Sequence, residues 1–360
     1  MTTAPHRNWP PSEVSIRAPA RLHMGFLDPS GTAGRVFGSI GVSLNEVATC
    51  ITLRPSDHLA TPPAYRERCL AIARRVSDAL GLAVAADIAI DAAIPEHVGL
   101  GSGTQFALAL ALGLHRLYGA EPTVREVAHL IGRGRRSGVG IAAFENGGFI
   151  VDGGHGAHTV TPPLLARFDF PEDWRFILVF DRRGGGLHGE AELAAFRTLP
   201  PFPATEAARI CHHVLLRALP ALCERDLAAF GSVISDVQRS IGDYFSPAQG
   251  GRFTSPDVAE ALEWLQSRQA VGIGQTSWGP TGFCLTASPE RARHLADEAR
   301  QHFRERPHLE FLVASARNQG ADIRVEPLPD GEPNRRDRLS TPQAAEPGEV
   351  SSATNTVCDR

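Results

Sequence analysis

The stretch "PEHVGLGSGT", Pro95–Thr104, runs straight into "QFALALALGLHRLYG", residues 105–119. Three alternate glycines, Gly99, Gly101 and Gly103, precede an apolar helical run, so a glycine loop opens onto a helix N-terminus. Amides near Ser102, Gly103 and Thr104 are expected to point out of that helix, where its dipole favours negative charge; the Ser102 and Thr104 hydroxyls can add donors. Taken alone, the stretch fits a phosphate loop and a plain glycine turn with a threonine cap equally well. It is not a Walker A loop, which requires a lysine. The chain has none: all 36 residues counted as Lys+Arg are arginine.

That absence excludes a lysine Schiff base and a lysine general base, and leaves phosphate or carboxylate to arginine, backbone amides or metal. The chain has 360 residues, of which 42% are hydrophobic and 21% charged, with net charge −4. This is enough for a two-domain globular core, and it carries no basic bias towards nucleic acid. The six cysteines form no CxxC pair, so neither a zinc site nor a disulfide framework is indicated. The N-terminal segment lacks an apolar signal core, and no apolar run is long enough for a membrane. A reduced, cytoplasmic enzyme is expected.

The pattern divides into a proline-rich N-terminus (1–12), a first unit of mixed strands and helices (13–165), a second unit (166–327) and a polar, aperiodic tail (328–360). In the first unit, "VSIRAPARLHMGF" reads as a strand and turn, and "GSIGVSLNEVATCITLRP" as a hairpin or paired strands. "YRERCLAIARRVSDALGL" reads as a helix capped by Gly81. Thr123 and Glu126 make a capping box for another helix. "GIAAFENGGFIVDGG" reads as strand-rich, and "PPLLARFDFPEDW" as a linker. The second unit opens on the buried strand "RFILVFD". Its remaining order of helices and strands, with Ser255 and Pro256 starting one helix and "ADIRVEPLP" as the last strand, suggests a ferredoxin-like domain.

Three segments in order resemble the motifs of the GHMP kinase superfamily: "APARLHMGFLDPSG" (18–31), the glycine loop, and "GIGQTSWGPTGFCL" (272–285). The resemblance implies an α+β, two-domain fold, with an N-terminal mixed α/β domain, a C-terminal ferredoxin-like domain and the active site in the cleft between them. The kinases carry an S-G-x-D segment after the loop, and its aspartate serves the phosphoryl acceptor. Here the comparable segment is "RRSGVGIAAFENGG", with Gly140 at the aspartate position. The combination "ARLHMGFLD", "SIGVSLN", "GLGSGTQ", "GRGRRSGVGIAAFENGGFIVDGG", "GGGLHGEAELAAF" and "QTSWGPTGF" is more similar to one branch, the β-ribofuranosylaminobenzene 5′-phosphate synthases. That family joins phosphoribosyl pyrophosphate to para-aminobenzoate with loss of CO2 and pyrophosphate, for tetrahydromethanopterin biosynthesis. An ATP-dependent small-molecule kinase and a non-catalytic phosphosugar sensor are the rival expectations.

A donor with a 5′-phosphate and a pyrophosphate needs two anion cradles. Gly99, Gly101, Ser102, Gly103 and Thr104 supply one. Arg135, Arg136 and Ser137, with Arg133, supply the second, although an arginine run also suits a solvated helix end. Arg182 and Arg183 are weaker candidates. Arg21 suits a phosphate or the benzoate carboxylate, Gln275 offers a polar contact, and Trp278 can stack on the ring or cover the core. His23, Glu145 and His188 are the candidate catalytic residues. Asp28 is the candidate ligand for Mg2+, with a turn role before Pro29 as the alternative. A homodimer is the family expectation, with no nucleic-acid or membrane partner.

Overall fold

The computed structural model describes residues 12–184 and 197–328. Its first unit is a six-stranded sheet in the order β10-β1-β2-β4-β5, with β3 also paired to β2. The strands are β1 (Ser12–Asp28), β2 (Phe37–Pro55), β3 (Ala86–Ala92), β4 (Phe149–Asp152), β5 (Leu164–Phe168) and β10 (Asp322–Pro327). Helices α1 (Arg66–Leu80), α2 (Ser102–Leu117), α3 (Val124–Leu130) and α4 (Val139–Glu145) accompany it. Helix α1 ends on Gly81 in the left-handed conformation, and the Thr123–Glu126 capping box is formed. Helix α2 is buried almost throughout, which its continuous apolar run requires.

The second unit has strands β6 (Arg175–Asp181), β7 (Val271–Gln275), β8 (Gly282–Thr286) and β9 (Leu309–Ala314), in the order β7-β8-β6-β9. All pairs are antiparallel. With helices between β6 and β7 and between β8 and β9, this is the ferredoxin-like arrangement expected. Its helices are α5 (Ala204–His213), α6 (Leu219–Glu224), α7 (Leu227–Gln249), α8 (Pro256–Gln266) and α9 (Pro289–His302). Ser255 caps α8, accepting from the Val258 amide at 3.2 Å, with Pro256 at its first position.

Four readings of the pattern are corrected. The segment 37–55 is one long strand, β2, rather than a hairpin; its residues between Ser43 and Ala48 leave β1, and Asn45 pairs with the chain after β9. "GIAAFE" forms α4, not a strand, because Ile141, Ala142, Ala143 and Phe144 are all enclosed by core and the period of two has no exposed face to mark. "LLARF" is the strand β5 rather than a linker. The fourth strand of the second unit is Leu309–Ala314, whereas "DIRVEP" returns to the first sheet and pairs with β1 from Ser12 to Arg17. The first sheet is therefore closed by the last described strand.

One core joins the units. Leu22, Met24 and Phe26 of β1 and Ile40 and Val42 of β2 pack with Phe176 and Leu178 of β6 and with Phe230, Val233 and Val237 of α7. A second core lies between β1, β2, α1 and α2, and a third between β6, α8 and α9. Among the described residues, no helix is long and apolar enough to cross a membrane.

Candidate active site

The three glycine-bearing segments meet at one place, held by one threonine. Thr276 is completely buried; its Oγ1 accepts from the His23 amide (2.9 Å) and donates to the Gly99 carbonyl (2.8 Å). The Arg21 amide donates to the Leu100 carbonyl (3.1 Å), and its guanidinium donates to the Gly99 carbonyl. The two glycine loops lie backbone against backbone. A Cβ at Gly99 would sit 2.2 Å from the Thr276 carbonyl oxygen, and one at Gly279 2.3 Å from the Val98 carbonyl. Neither position admits a side chain, and Gly99 also has φ +84°.

Gly101, at φ +85°, is the N-cap of α2 and has no side chain to satisfy the first turn. The amides of Thr104 and Gln105 both turn back to its carbonyl. Ser102 and Gly103 thus head the helix, as expected of an anion loop. Arg21 lies under Gly101, its Cγ and Nε 3.2 and 3.3 Å from where a Cβ would stand. Arg133 approaches Gly103 from outside, 3.6 Å from the equivalent point.

Arg133 does not stand alone. Loss of water, and then the charges of Arg68, Arg75 and Arg135, lower its pKa. Arg75 and Arg135 meet over Gly132, where a Cβ would contact both at 3.3–3.4 Å. Arg68 pairs with Glu96 and lies over the Phe106 ring. Among the described residues, Arg133 and Arg135 have no carboxylate partner, and four guanidiniums crowd beside the head of α2. Arg68 and Arg75 escape a sequence reading because arginines on an amphipathic helix look like its wet face.

His23 is buried (3% exposed), and its Nε2 has no hydrogen-bond partner among the described residues. Burial first, then Arg21 and Arg136, push its pKa down to about 3, so the imidazole is neutral at physiological pH. The same charges place Arg21 and Arg136 close to it. The histidine lines a cleft between the units, with Phe26 of β1, Gln238, Ile241 and Phe245 of α7, Arg252, and Gln275 and Trp278 of the third loop. Trp278 is 4% exposed and tilts against Phe245, ring centroids 4.2 Å apart. Gln275 accepts from the Thr254 amide (2.7 Å) and reaches Gln249 (3.3 Å).

The other expected site residues are not brought here. Asp28 is the turn residue. Its two carboxylate oxygens take the Gly31 amide (2.9 Å), the Thr32 hydroxyl (2.8 Å) and the Ser30 and Ala33 amides (3.2 Å each). Glu145 pairs with Arg125 (3.2 Å) at the end of α4. Five residues from Gly140, it lies roughly 140° around the helix from the side that meets α2. Ser137 faces inward to Ser39 (2.7 Å) and Asp152 (3.2 Å). Asp152 also accepts the Gly138 amide (2.9 Å) at the head of α4, and burial raises its pKa. Arg182 pairs with Glu310, and Arg183 with Asp181 and Asp257. His188 lies outside the described residues. Gly140, at the kinase aspartate position, is pressed against α2: a Cβ would be 3.2 Å from Thr104 Cγ2, and its carbonyl accepts from Gln105 Nε2 (2.7 Å).

These features define a GHMP-type protein. The GHMP kinases N terminal domain family matches residues 67–148, and the GHMP kinases C terminal family matches residues 218–305. The fold is also that of Lactococcus lactis galactokinase, with a TM-score of 0.63 at 13% identity over 86% of this chain and 95% of that one. Three curated relatives narrow the class, each named beta-ribofuranosylphenol 5′-phosphate synthase. The Methanothermobacter thermautotrophicus protein is 32% identical over 76% of this chain and 89% of its own. That from Archaeoglobus fulgidus is 34% identical over 87% and 100%. That from Methanocaldococcus jannaschii is 35% identical over 86% and 99%. The chain belongs to this synthase family, a branch of the GHMP kinase superfamily, and is an enzyme.

Proposed function

We propose that this enzyme is a decarboxylating phosphoribosyltransferase. It joins phosphoribosyl pyrophosphate to a para-substituted benzoate at the ring carbon that bears the carboxylate. The ring attacks C1′ of the ribose as the bond to pyrophosphate breaks. CO2 then leaves and the aromatic system is restored. The product that the relatives' names print is a ribosyl-phenol phosphate, which favours para-hydroxybenzoate as acceptor; para-aminobenzoate, implied by the sequence resemblance, has the same geometry.

The observation that carries this reading is the arginine cluster at the head of α2. Arg133 and Arg135 have no acid partner among the described residues, and they adjoin an uncapped helix start under which Arg21 lies. A polyanionic donor supplies the missing countercharge. Backbone amides and arginine do this work in a chain without lysine. The kinase reading lacks its acid: Gly140 stands at that position and its contact with Thr104 leaves a carboxylate little room.

Among the described residues, those expected to hold Mg2+ do not fit a resident ion at this site. Asp28 is committed to its turn and Glu145 to Arg125, so no step is assigned to a protein-held metal. Among the described residues, the one group with metal-ligand spacing is Asp181, Asp257 and His308, whose acids already pair with Arg183 and Arg306. The homodimer and the tetrahydromethanopterin pathway rest on the sequence resemblance, and the cytoplasmic location on the cysteine pattern and the lack of an apolar signal core. The test is product analysis by mass spectrometry after incubation with phosphoribosyl pyrophosphate and each benzoate, with ATP as control. A donor-dependent ribosyl-aryl phosphate supports the proposal; phosphoryl transfer from ATP with no such product overturns it.

A further inference from the structure

The cleft lined by His23 lies beside the arginines and has an apolar and a polar part. Phe26, Ile241, Phe245 and Trp278 form apolar walls, and the side-chain amides of Gln238, Gln249 and Gln275 give it neutral polar groups. The cleft as a whole is small, ≈ 30 Å³, and partly open to solvent. Arg252, 47% exposed and paired with Asp243 (2.7 Å), stands on its solvent side. His23 Nε2, buried and without a partner among the described residues, belongs to this cleft.

We propose that the cleft is the subsite of the aromatic acceptor, with Trp278 and Phe245 against the ring and His23 Nε2 accepting a hydrogen bond from the acid's para O–H or N–H. This rests on the transferase reading above. The para hydroxyl or amino group enters this small cleft, and the ring and carboxylate lie at its solvent side, where Arg252 stands. A neutral imidazole beside Arg21 and Arg136 is an acceptor there, not a second cation. It also serves the reaction. When the ring carbon bonds to C1′ and pyrophosphate leaves with the electrons of its C–O bond, the ring becomes electron-poor and its para O–H or N–H more acidic. The hydrogen bond to Nε2 strengthens at that moment. Loss of CO2 returns the electron pair of its C–C bond to the ring, and the para proton stays on the product. No oxidant or reductant is involved.

The test is equilibrium binding of para-hydroxybenzoate, para-aminobenzoate and unsubstituted benzoate to the full chain, alongside binding of phosphoribosyl pyrophosphate. Wild type is expected to hold benzoate about tenfold more weakly than either para-substituted acid, the worth of one hydrogen bond. His23→Ala should reduce that preference to about twofold or less. Gln249→Trp, a substitution at the half-buried end of α7 that narrows the cleft, should weaken all three acids about tenfold or more and leave donor binding intact. The proposal is overturned if wild type does not prefer the para-substituted acids, or if Gln249→Trp binds them as wild type does. Expected binding without CO2 release in the presence of donor leaves the cleft assignment standing and removes the reaction. CO2 release with an unchanged acceptor KM in Gln249→Trp does the reverse.

Discussion

Replacing Thr276 by valine tests whether one hydroxyl ties the two glycine loops to β1. Valine keeps the shape of threonine and removes Oγ1, so the His23 amide loses its acceptor and the Gly99 carbonyl loses one of two donors. The site is completely buried, and water does not replace these bonds. A buried polar group left without its partner costs about 1–3 kcal/mol, so the two together should lower unfolding stability by about 2–4 kcal/mol. Thr276→Ser keeps the oxygen and loses only a methyl, for a cost of about 1 kcal/mol. Urea unfolding of wild type and both variants reads the difference as a shift in midpoint at constant slope. Kinetics read the second consequence. A loop released by about 1 Å should lose about a hundredfold in kcat/KM. A Thr276→Val protein within about 0.5 kcal/mol of wild type, with an unchanged donor KM, would refute the reasoning.

Arg133→Gln should raise the donor KM by about tenfold and make it less sensitive to salt, since one unpaired charge is lost from the cluster; titration of KM against ionic strength checks this. Gly140→Asp should destabilise the protein through the contact with Thr104 and yield no ATP-dependent phosphoryl transfer, measured by denaturant unfolding and ADP release. The folded pKa of His23, about 3, lies below the unfolded value of 6.5, so between these pH values the unfolded chain binds the extra proton. Stability should therefore fall as pH falls through that window, and His23→Gln should flatten the fall; an equal slope in the variant contradicts the buried, neutral histidine.

The glycine loop at the head of α2 was legible in the sequence because glycine spacing before an apolar run reports backbone geometry directly. The convergence of the three segments was legible only through their resemblance to known motifs; nothing in the spacing of Thr276 and Gly99 says that they touch. Residues whose roles depend on a turn were the least legible. Asp28 and Ser137 carry the same functional groups whether they bind a ligand or cap a local segment, and their partners decide it. The pattern of α4 hides its helix because six of its seven residues are buried and lose their period. Leu309–Ala314 is hard to read as a strand for a different reason: a short, mostly apolar run fits a strand or a helix segment equally and gives no sign of its pairing. Arg68 and Arg75 took their meaning from α3 and its following loop, which the sequence separates from them by more than fifty residues.

The most direct measurement is release of labelled CO2 from carboxyl-labelled para-hydroxybenzoate and para-aminobenzoate, with and without phosphoribosyl pyrophosphate. The account predicts release that requires the donor, accompanied by one pyrophosphate per CO2. A folded protein that binds the donor and releases no CO2 from either acid would contradict it.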